Sequence, residues 1–269
     1  MHRITSREHP VVKQFVKLQK SAQLRKKCGA TILDGVHLIH SCLFTSGTPV
    51  VPNCLVVSES GQNNKEIKSL LEVCIYHKKT QVFLVIDSLF QRISPVKTPT
   101  GILAQITIPE PEEPPISTNR DSIFCVLLEA IQDPGNLGTI LRSAAAANVT
   151  DIYLSKDCAD AWSPKTLRAG MGAHFLLRIH TDCNLVEIVR HFRGQILATS
   201  PRAPKSLYQS DLTKPTAFIF GNEGAGLSNE ILRAANEIIS IPMPGKTESL
   251  NAATAVTICL FEKVRQDIY

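Results

Sequence analysis

Short apolar runs alternate with amphipathic segments along almost the whole chain. VKQFVKLQKSAQLRKK repeats Val12, Phe15, Val16 and Leu18 at helical spacing among basic residues, which predicts one helix. TILDGVHLIHSCLF follows as strand, turn and helix, NCLVVSES as strand and NKEIKSLLEVCIYHK as helix. QVFLVIDSLFQRI is a strand running into a helix, and GILAQITI is a further strand. Such alternation predicts a compact α/β module over residues 1–107. The pattern then stops. Residues 108–120 are rich in proline and acid with no hydrophobic period, as in a stiff, extended linker.

Beyond it, SIFCVLLEAI is nearly continuously apolar, the mark of a strand buried on both faces. DPGN leads into a helix over about Leu137–Ala147, DIYLS is a strand, and SPKTLRAGMG is a helix with Pro164 in its first turn. FLLRIH, QILATS, TAFIF and EIISIP continue as strands, between the helices NLVEIVRHF, SNEILRAAN and SLNAATAVTICLFEKV. Five or six strands with intervening helices predict an α/β fold with a doubly wound, mostly parallel sheet over 121–269. Ligands of such sheets bind outside the carboxyl ends of the strands.

Composition narrows the classes. In 269 residues, 43% are apolar and 20% charged, as in soluble globular proteins. No apolar run reaches membrane-spanning length, and MHRITSREHP lacks the apolar core of a secretory signal. None of the eight cysteines forms a C-x-x-C pair, so neither a zinc knuckle nor a redox motif is indicated. Scattered single cysteines suit a reducing cytoplasm. Net charge is +5, yet residues 1–30 alone carry +7, from Arg3, Arg7, Lys13, Lys17, Lys20, Arg25, Lys26 and Lys27 against Glu8. That imbalance suggests a polyanion at this end, or else a solvated helix face.

Three loops carry candidate chemistry. GKT at 245–247 suggests a phosphate loop, but Ser240 stands where that motif needs glycine, and Pro242 and Pro244 remove backbone donors. In QDPGNLGTILR, Asp133-Pro134-Gly135 forms a turn and Asn136 is placed as an N-cap. Gly138 and Arg142 lie one helical turn apart. They either frame an anion pocket at the helix start or serve packing and solvation. FIFGNEGAGLSNE does not match G-x-G-x-x-G; its glycines imply close backbone approach or a turn with positive φ. Glu223 stands between two of them, and Ser228 is placed to cap the next helix. In IPMPGKTESLNAATAV, Ser249 and Asn251 open a long helix, as caps or as site residues. All three loops follow strands on one predicted sheet edge.

NLGTILR (136–142), GNEGAGLS (221–228) and IPMPGKTESLN (241–251), in this order, resemble the signature motifs of the SpoU (TrmH-like) RNA 2′-O-ribose methyltransferases of the SPOUT class. KTLRAGMGAHF resembles the family's connecting helix, and the resemblance covers 121–269. Residues 1–107, with ILDGVHLIHSC, are similar to the ribosomal-protein-like RNA-binding domain that often precedes it. The resemblance implies a C-terminal trefoil knot, S-adenosylmethionine as cofactor, an RNA substrate and a homodimer, without metal or membrane. Backbone around Gly221, Ile241 and Leu250 would hold the cofactor, with Thr199 near its adenine. Arg142 would be catalytic, with Asn136, Glu223, Ser249 and Asn251 positioning substrate and cofactor. The preceding domain favours ribosomal over transfer RNA. A non-catalytic RNA-binding or ribosome-assembly protein retaining the fold is the alternative. Lys246-Thr247-Glu248 is more charged than the family pattern suggests, and Glu248 could affect substrate choice.

Overall fold

The structure, a computed structural model, describes residues 2–45, 49–76, 80–111 and 124–269. Most of the expected linker, residues 112–120, lies outside the described residues, as do the first residues of the strand expected at SIFCVLLEAI. The chain divides into two compact units. One contains residues 1–109 and 162–175, the other 110–161 and 176–269.

The first unit comprises β1 (His2–Ile4), α1 (Pro10–Lys20), α2 (Ala22–Cys28), β2 (Ala30–Asp34), α3 (Val36–Phe44), β3 (Cys54–Ser58), α4 (Lys65–Tyr76), β4 (Gln81–Val85), α5 (Asp87–Ile93) and β5 (Ile102–Thr107). Its sheet runs β1-β4-β3-β5-β2, with β5 antiparallel to both neighbours and the other pairs parallel. Val12, Phe15 and Leu18 of α1 pack with Ile32, Val56 and Leu103 of the sheet and with Phe90 and Ile93 of α5. Two expectations change here. β1 was not foreseen, because three residues with one buried side chain carry no readable period. The single helix expected after it is two, since Ser21 is extended (φ −117°, ψ 108°) and its Oγ accepts the Leu24 N–H at 3.1 Å. A serine that bonds locally to the backbone competes with helix continuation.

The second unit holds β6 (Phe124–Leu128), α6 (Pro134–Ala146) and β7 (Asp151–Ser155). The chain passes through α7 (Pro164–Gly170) in the first unit before returning as β8 (Arg178–Cys183), α8 (Leu185–His191) and β9 (Gln195–Thr199). β10 (Lys205–Ser206), β11 (Thr216–Phe220), α9 (Asn229–Ala234), β12 (Glu237–Ser240) and α10 (Ala252–Ile268) complete it. The sheet order is β10-β12-β9-β11-β6-β7-β8, and every pair is parallel. Among the described residues it has seven strands, one more than expected; the addition is β10, two residues on the edge. β8 starts later than FLLRIH predicts. Arg178 is paired in register with Asp151 and bonded to its carboxylate, which fixes where the strand begins.

Every residue of β6 and of β11 is buried, as parallel strands covered on both faces must be. α8 and α9 cover one face through Leu185, Ile188, Val189 and Ile231. α6 and α10 pack together, with Ser143 Oγ and Thr257 Oγ1 2.7 Å apart. Because β6, β9, β11 and β12 run the same way, the loops after them share one edge.

Candidate active site

At that edge β6 ends at Leu128, and the backbone turns through Glu129 and Ala130 toward α6. Pro134 occupies the first turn, where its missing N–H costs nothing. The cap is Asp133, whose Oδ1 accepts the Asn136 N–H at 2.8 Å. Asn136 is therefore not the N-cap expected of it. Its side chain is left for longer-range partners.

Those partners come from the other two loops. Glu223 Oε1 accepts Asn136 Nδ2 at 3.0 Å and the Asp133 N–H at 3.4 Å, while its Oε2 accepts the Gln132 N–H at 3.3 Å. Asn136 Oδ1 accepts Asn251 Nδ2 at 2.9 Å. Asn251 Oδ1 in turn caps α10, taking the Ala253 and Thr254 N–H groups at 2.9 and 3.3 Å. The chain has one direction. A cap must present oxygen, so Asn251 presents nitrogen to Asn136, and Asn136 presents nitrogen to the carboxylate. Asn251 is thus both a cap and a link in the site. Burial raises the Glu223 carboxyl, but bonds from Asn136 and from backbone N–H groups outweigh it and leave the group below its usual range.

Just before α6, Glu223 takes the Gln132 and Asp133 N–H groups, and Gly138 within the helix is buried. Arg142 lies on the exposed face of α6 and has no hydrogen-bond or ion-pair partner among the described residues.

The 221–228 loop is braced from within. A Cβ on Gly221 would lie 2.3 Å from the Gly226 carbonyl carbon, and Gly226 has φ +72°, so each needs glycine for a different reason. Gly224 has neither constraint; its nearest neighbour to a Cβ is 3.6 Å away. Asn222 Oδ1 accepts the Gly224 and Ala225 N–H groups, both at 2.9 Å, and its Nδ2 donates to Ala130 O at 2.9 Å. Ser228 caps α9 as expected, and its own N–H donates to Glu129 Oε2 at 2.7 Å. Glu129 and Asn222 were not foreseen as part of the site. A carboxylate closing the apolar run FCVLL was the available signal.

The structure thus joins Asn136, Glu223 and Asn251 by direct bonds. Thr199 closes β9 and donates to Ile219 O at 3.0 Å, Gly221 follows β11 directly, and half-buried Ile241 follows β12. Ser249 and Leu250 are exposed just before α10, and Ser249 has no hydrogen-bond partner among the described residues. Among the described residues, no group of three or more His, Cys, Asp or Glu side chains could hold a metal ion. No helix there is long and apolar enough to cross a membrane.

Residues 123–261 match the model of the SpoU rRNA methylase family. An uncharacterised tRNA/rRNA methyltransferase of Synechocystis is 34% identical over 266 residues, covering 98% of this chain and 93% of the relative. The 23S rRNA (guanosine(2553)-2′-O)-methyltransferase RlmP of Bacillus subtilis is 30% identical over 264 residues, covering 97% of this chain and 98% of the relative. The crystal structure of the SpoU methyltransferase AviRb from Streptomyces viridochromogenes, in complex with the cofactor AdoMet, superposes with a TM-score of 0.82. It is 27% identical and covers 97% of this chain and 99% of that one. With three ordered motifs meeting at one sheet edge and relatives matched over almost its whole length, the chain belongs to the SpoU rRNA methylase family.

Proposed function

We propose that this protein is an S-adenosylmethionine-dependent methyltransferase acting on ribose 2′-hydroxyls of RNA, and that its substrate is ribosomal RNA. Family membership and the AdoMet-bound neighbour support the reaction and the cofactor. The ribosomal substrate is favoured by the relative that modifies 23S rRNA. The carrying observation is the bonded chain Glu223–Asn136–Asn251, which ties the three loops together at the start of α6, the helix that carries an arginine with no partner among the described residues.

The loops fit the cofactor's mixed chemistry. Ile241 and Met243 are half-buried and Leu250 is exposed, so the third loop leaves apolar surface accessible. Gly221, Ile241 and Leu250 would hold it through backbone, and Thr199, whose hydroxyl is taken by Ile219, would lie near the adenine. Bound there, the cofactor supplies a methyl group already activated on a sulfonium.

The chain's own residues align the acceptor with that methyl group. The Arg142 guanidinium offers N–H donors and no acceptor, so it acts as a donor and not as the base. Its planar fork suits the phosphate next to the reacting ribose, and one remaining N–H can orient the 2′-hydroxyl. Glu223 is a poor base, because its oxygens are engaged and its carboxyl titrates low. It fixes Asn136, and through it Asn251. Ser249 keeps a free hydroxyl in the same loop for substrate or cofactor. Residues 1–107 would select the RNA structure and 121–269 would catalyse, in a cytoplasmic homodimer. The C-terminal trefoil knot belongs to the same proposal, supported by the late insertion of β11 between β6 and β9.

The test is to map 2′-O-methylation in ribosomal RNA from cells with and without the gene, and to assay purified wild type and Arg142→Ala on that RNA. One lost site, restored in vitro by wild type and not by the variant, is expected. No changed site, together with equal activity of the two proteins, would sink the proposal.

A further inference from the structure

We propose that exposed lysines of α1 and α2 form a ridge that binds the phosphate backbone of the RNA substrate. This rests on the RNA-methyltransferase reading above and adds to it a particular surface. From His9 to Leu33 the sequence has no acidic residue, but its basic residues are not equivalent. Arg3 is held by Glu59 at 2.6 Å, and Arg25 is buried. Arg7 and Lys13 share Glu8 at 3.6 and 2.6 Å, in exposed pairs that water screens heavily. Lys17, Lys20 and Lys27 are exposed, with no ion-pair partner among the described residues.

Geometry makes a line of them. At about 100° per residue, positions 13, 17 and 20 fall within about 60° of one another on the α1 surface. Val12, Phe15 and Leu18, all buried, occupy the opposite side. Arg25 is buried and braces the break at Ser21. Its Nη1 donates to the Leu18 and Gln19 carbonyls at 2.5 and 3.3 Å, closing the end of α1 and seating α2 against it. Lys27, exposed on α2, adds a further charge, unpaired among the described residues, beyond that break. The partner is RNA and not a lipid surface, because a membrane-seated helix turns its apolar face outward. Here that face is in the core.

The experiment uses the full chain with Lys13, Lys17, Lys20 and Lys27 changed together to glutamine, which preserves helix propensity. Binding to a mixed-sequence RNA hairpin is followed by fluorescence anisotropy across a salt series. Losing four phosphate contacts should lower the slope of log affinity against log salt by about 3. Affinity at moderate salt should fall about 10- to 100-fold, equally for hairpins of different sequence. S-adenosylmethionine affinity by calorimetry and the thermal melting curve should match wild type. Wild-type affinity and slope in the variant would overturn the ridge. So would a wild type that binds phosphatidylserine vesicles and no RNA. If the ridge variant loses RNA but wild type methylates no RNA at all, the ridge stands and the enzymatic reading falls.

Discussion

The two ends of the second unit's parallel sheet both gather charged and amide side chains, and they treat them in opposite ways. At the amino end, buried Asp151 receives Arg178 Nε and Nη2 at 2.8 and 2.5 Å and Thr150 Oγ1 at 2.7 Å, with His180 Nε2 at 3.1 Å. Burial alone raises its carboxyl. The bonds from His180, Arg178 and Thr150, with the Arg178 charge, outweigh that and hold it far below the usual range. Tyr153 stacks on His180 at 4.6 Å and closes the cluster. At the carboxyl end, Glu223, Asn136 and Asn251 are bonded in a more open chain, and Arg142, about two turns into the α6 that starts there, has no partner among the described residues. A charge whose partners are all supplied by the chain holds the fold together. An arginine kept without one on a rigid helix is available to a ligand.

The largest effect should come from the unpartnered group. Arg142→Ala should lower methyl transfer by about 10³-fold or more, equivalent to about 4 kcal/mol of barrier. Stability should stay within about 0.5 kcal/mol, as for exposed substitutions. Single-turnover assays and thermal unfolding measure the two, and a large stability loss with residual activity would reverse the contrast. Asp151→Asn should do the opposite, costing about 2–4 kcal/mol because Arg178 keeps only part of its solvation. Its pH dependence follows from a folded pKa below the unfolded value of about 3.9. The stabilisation is complete above that value and is lost progressively as pH falls from it through the lower folded one. Urea unfolding of wild type and variant should therefore diverge above about pH 5 and converge in acid, with transfer per folded molecule unchanged.

The difference between the ends also marks what the sequence could disclose. Alternating apolar runs made the elements and the parallel sheet legible, and the three loops could be placed on one edge. The spacing of Gly138 and Arg142 left packing and anion binding open, and Arg142 was singled out only through the resemblance of NLGTILR to the family motif. The partners were another matter. Glu223 reaches Asn136, 87 positions away, only because β11 lies beside β6, a pairing that no local pattern encodes. Asn136 was mistaken for a cap although Pro134 at the first helical turn already pointed to Asp133. Lys17 and Arg25 look alike in sequence, and burial separates them.

A middle-sized effect tests whether Glu223 is structural or chemical. Glu223→Gln keeps an acceptor for Asn136 but loses the charge that holds two backbone N–H groups at the α6 start. Transfer should fall about 10-fold, in line with a misplaced neighbour. The carboxyl already titrates below its usual range, so wild-type activity should show no loss traceable to it above about pH 5. The pH profile of the variant should keep its shape. A vanished acid limb would make Glu223 the base, and would place chemistry where the comparison sees a brace.

The smallest effect concerns strain at the functional end. Ala130, between β6 and α6, has φ +54°, a region that costs a residue with a side chain about 1–2 kcal/mol. It is held there by Ser155 Oγ, which accepts its N–H at 2.9 Å, and by Asn222 Nδ2, which donates to its carbonyl at 2.9 Å. Ala130→Gly removes the steric cost but frees the unfolded chain, so stability should rise by only about 0.5 kcal/mol. The same freedom loosens the bond that carries Asn222 and its loop, so transfer should slow a few-fold. Urea unfolding and methylation assays should move in opposite directions. If both fall, the left-handed turn is an ordinary packing feature. If they part, the protein gives up some stability to hold its 221–228 loop against α6.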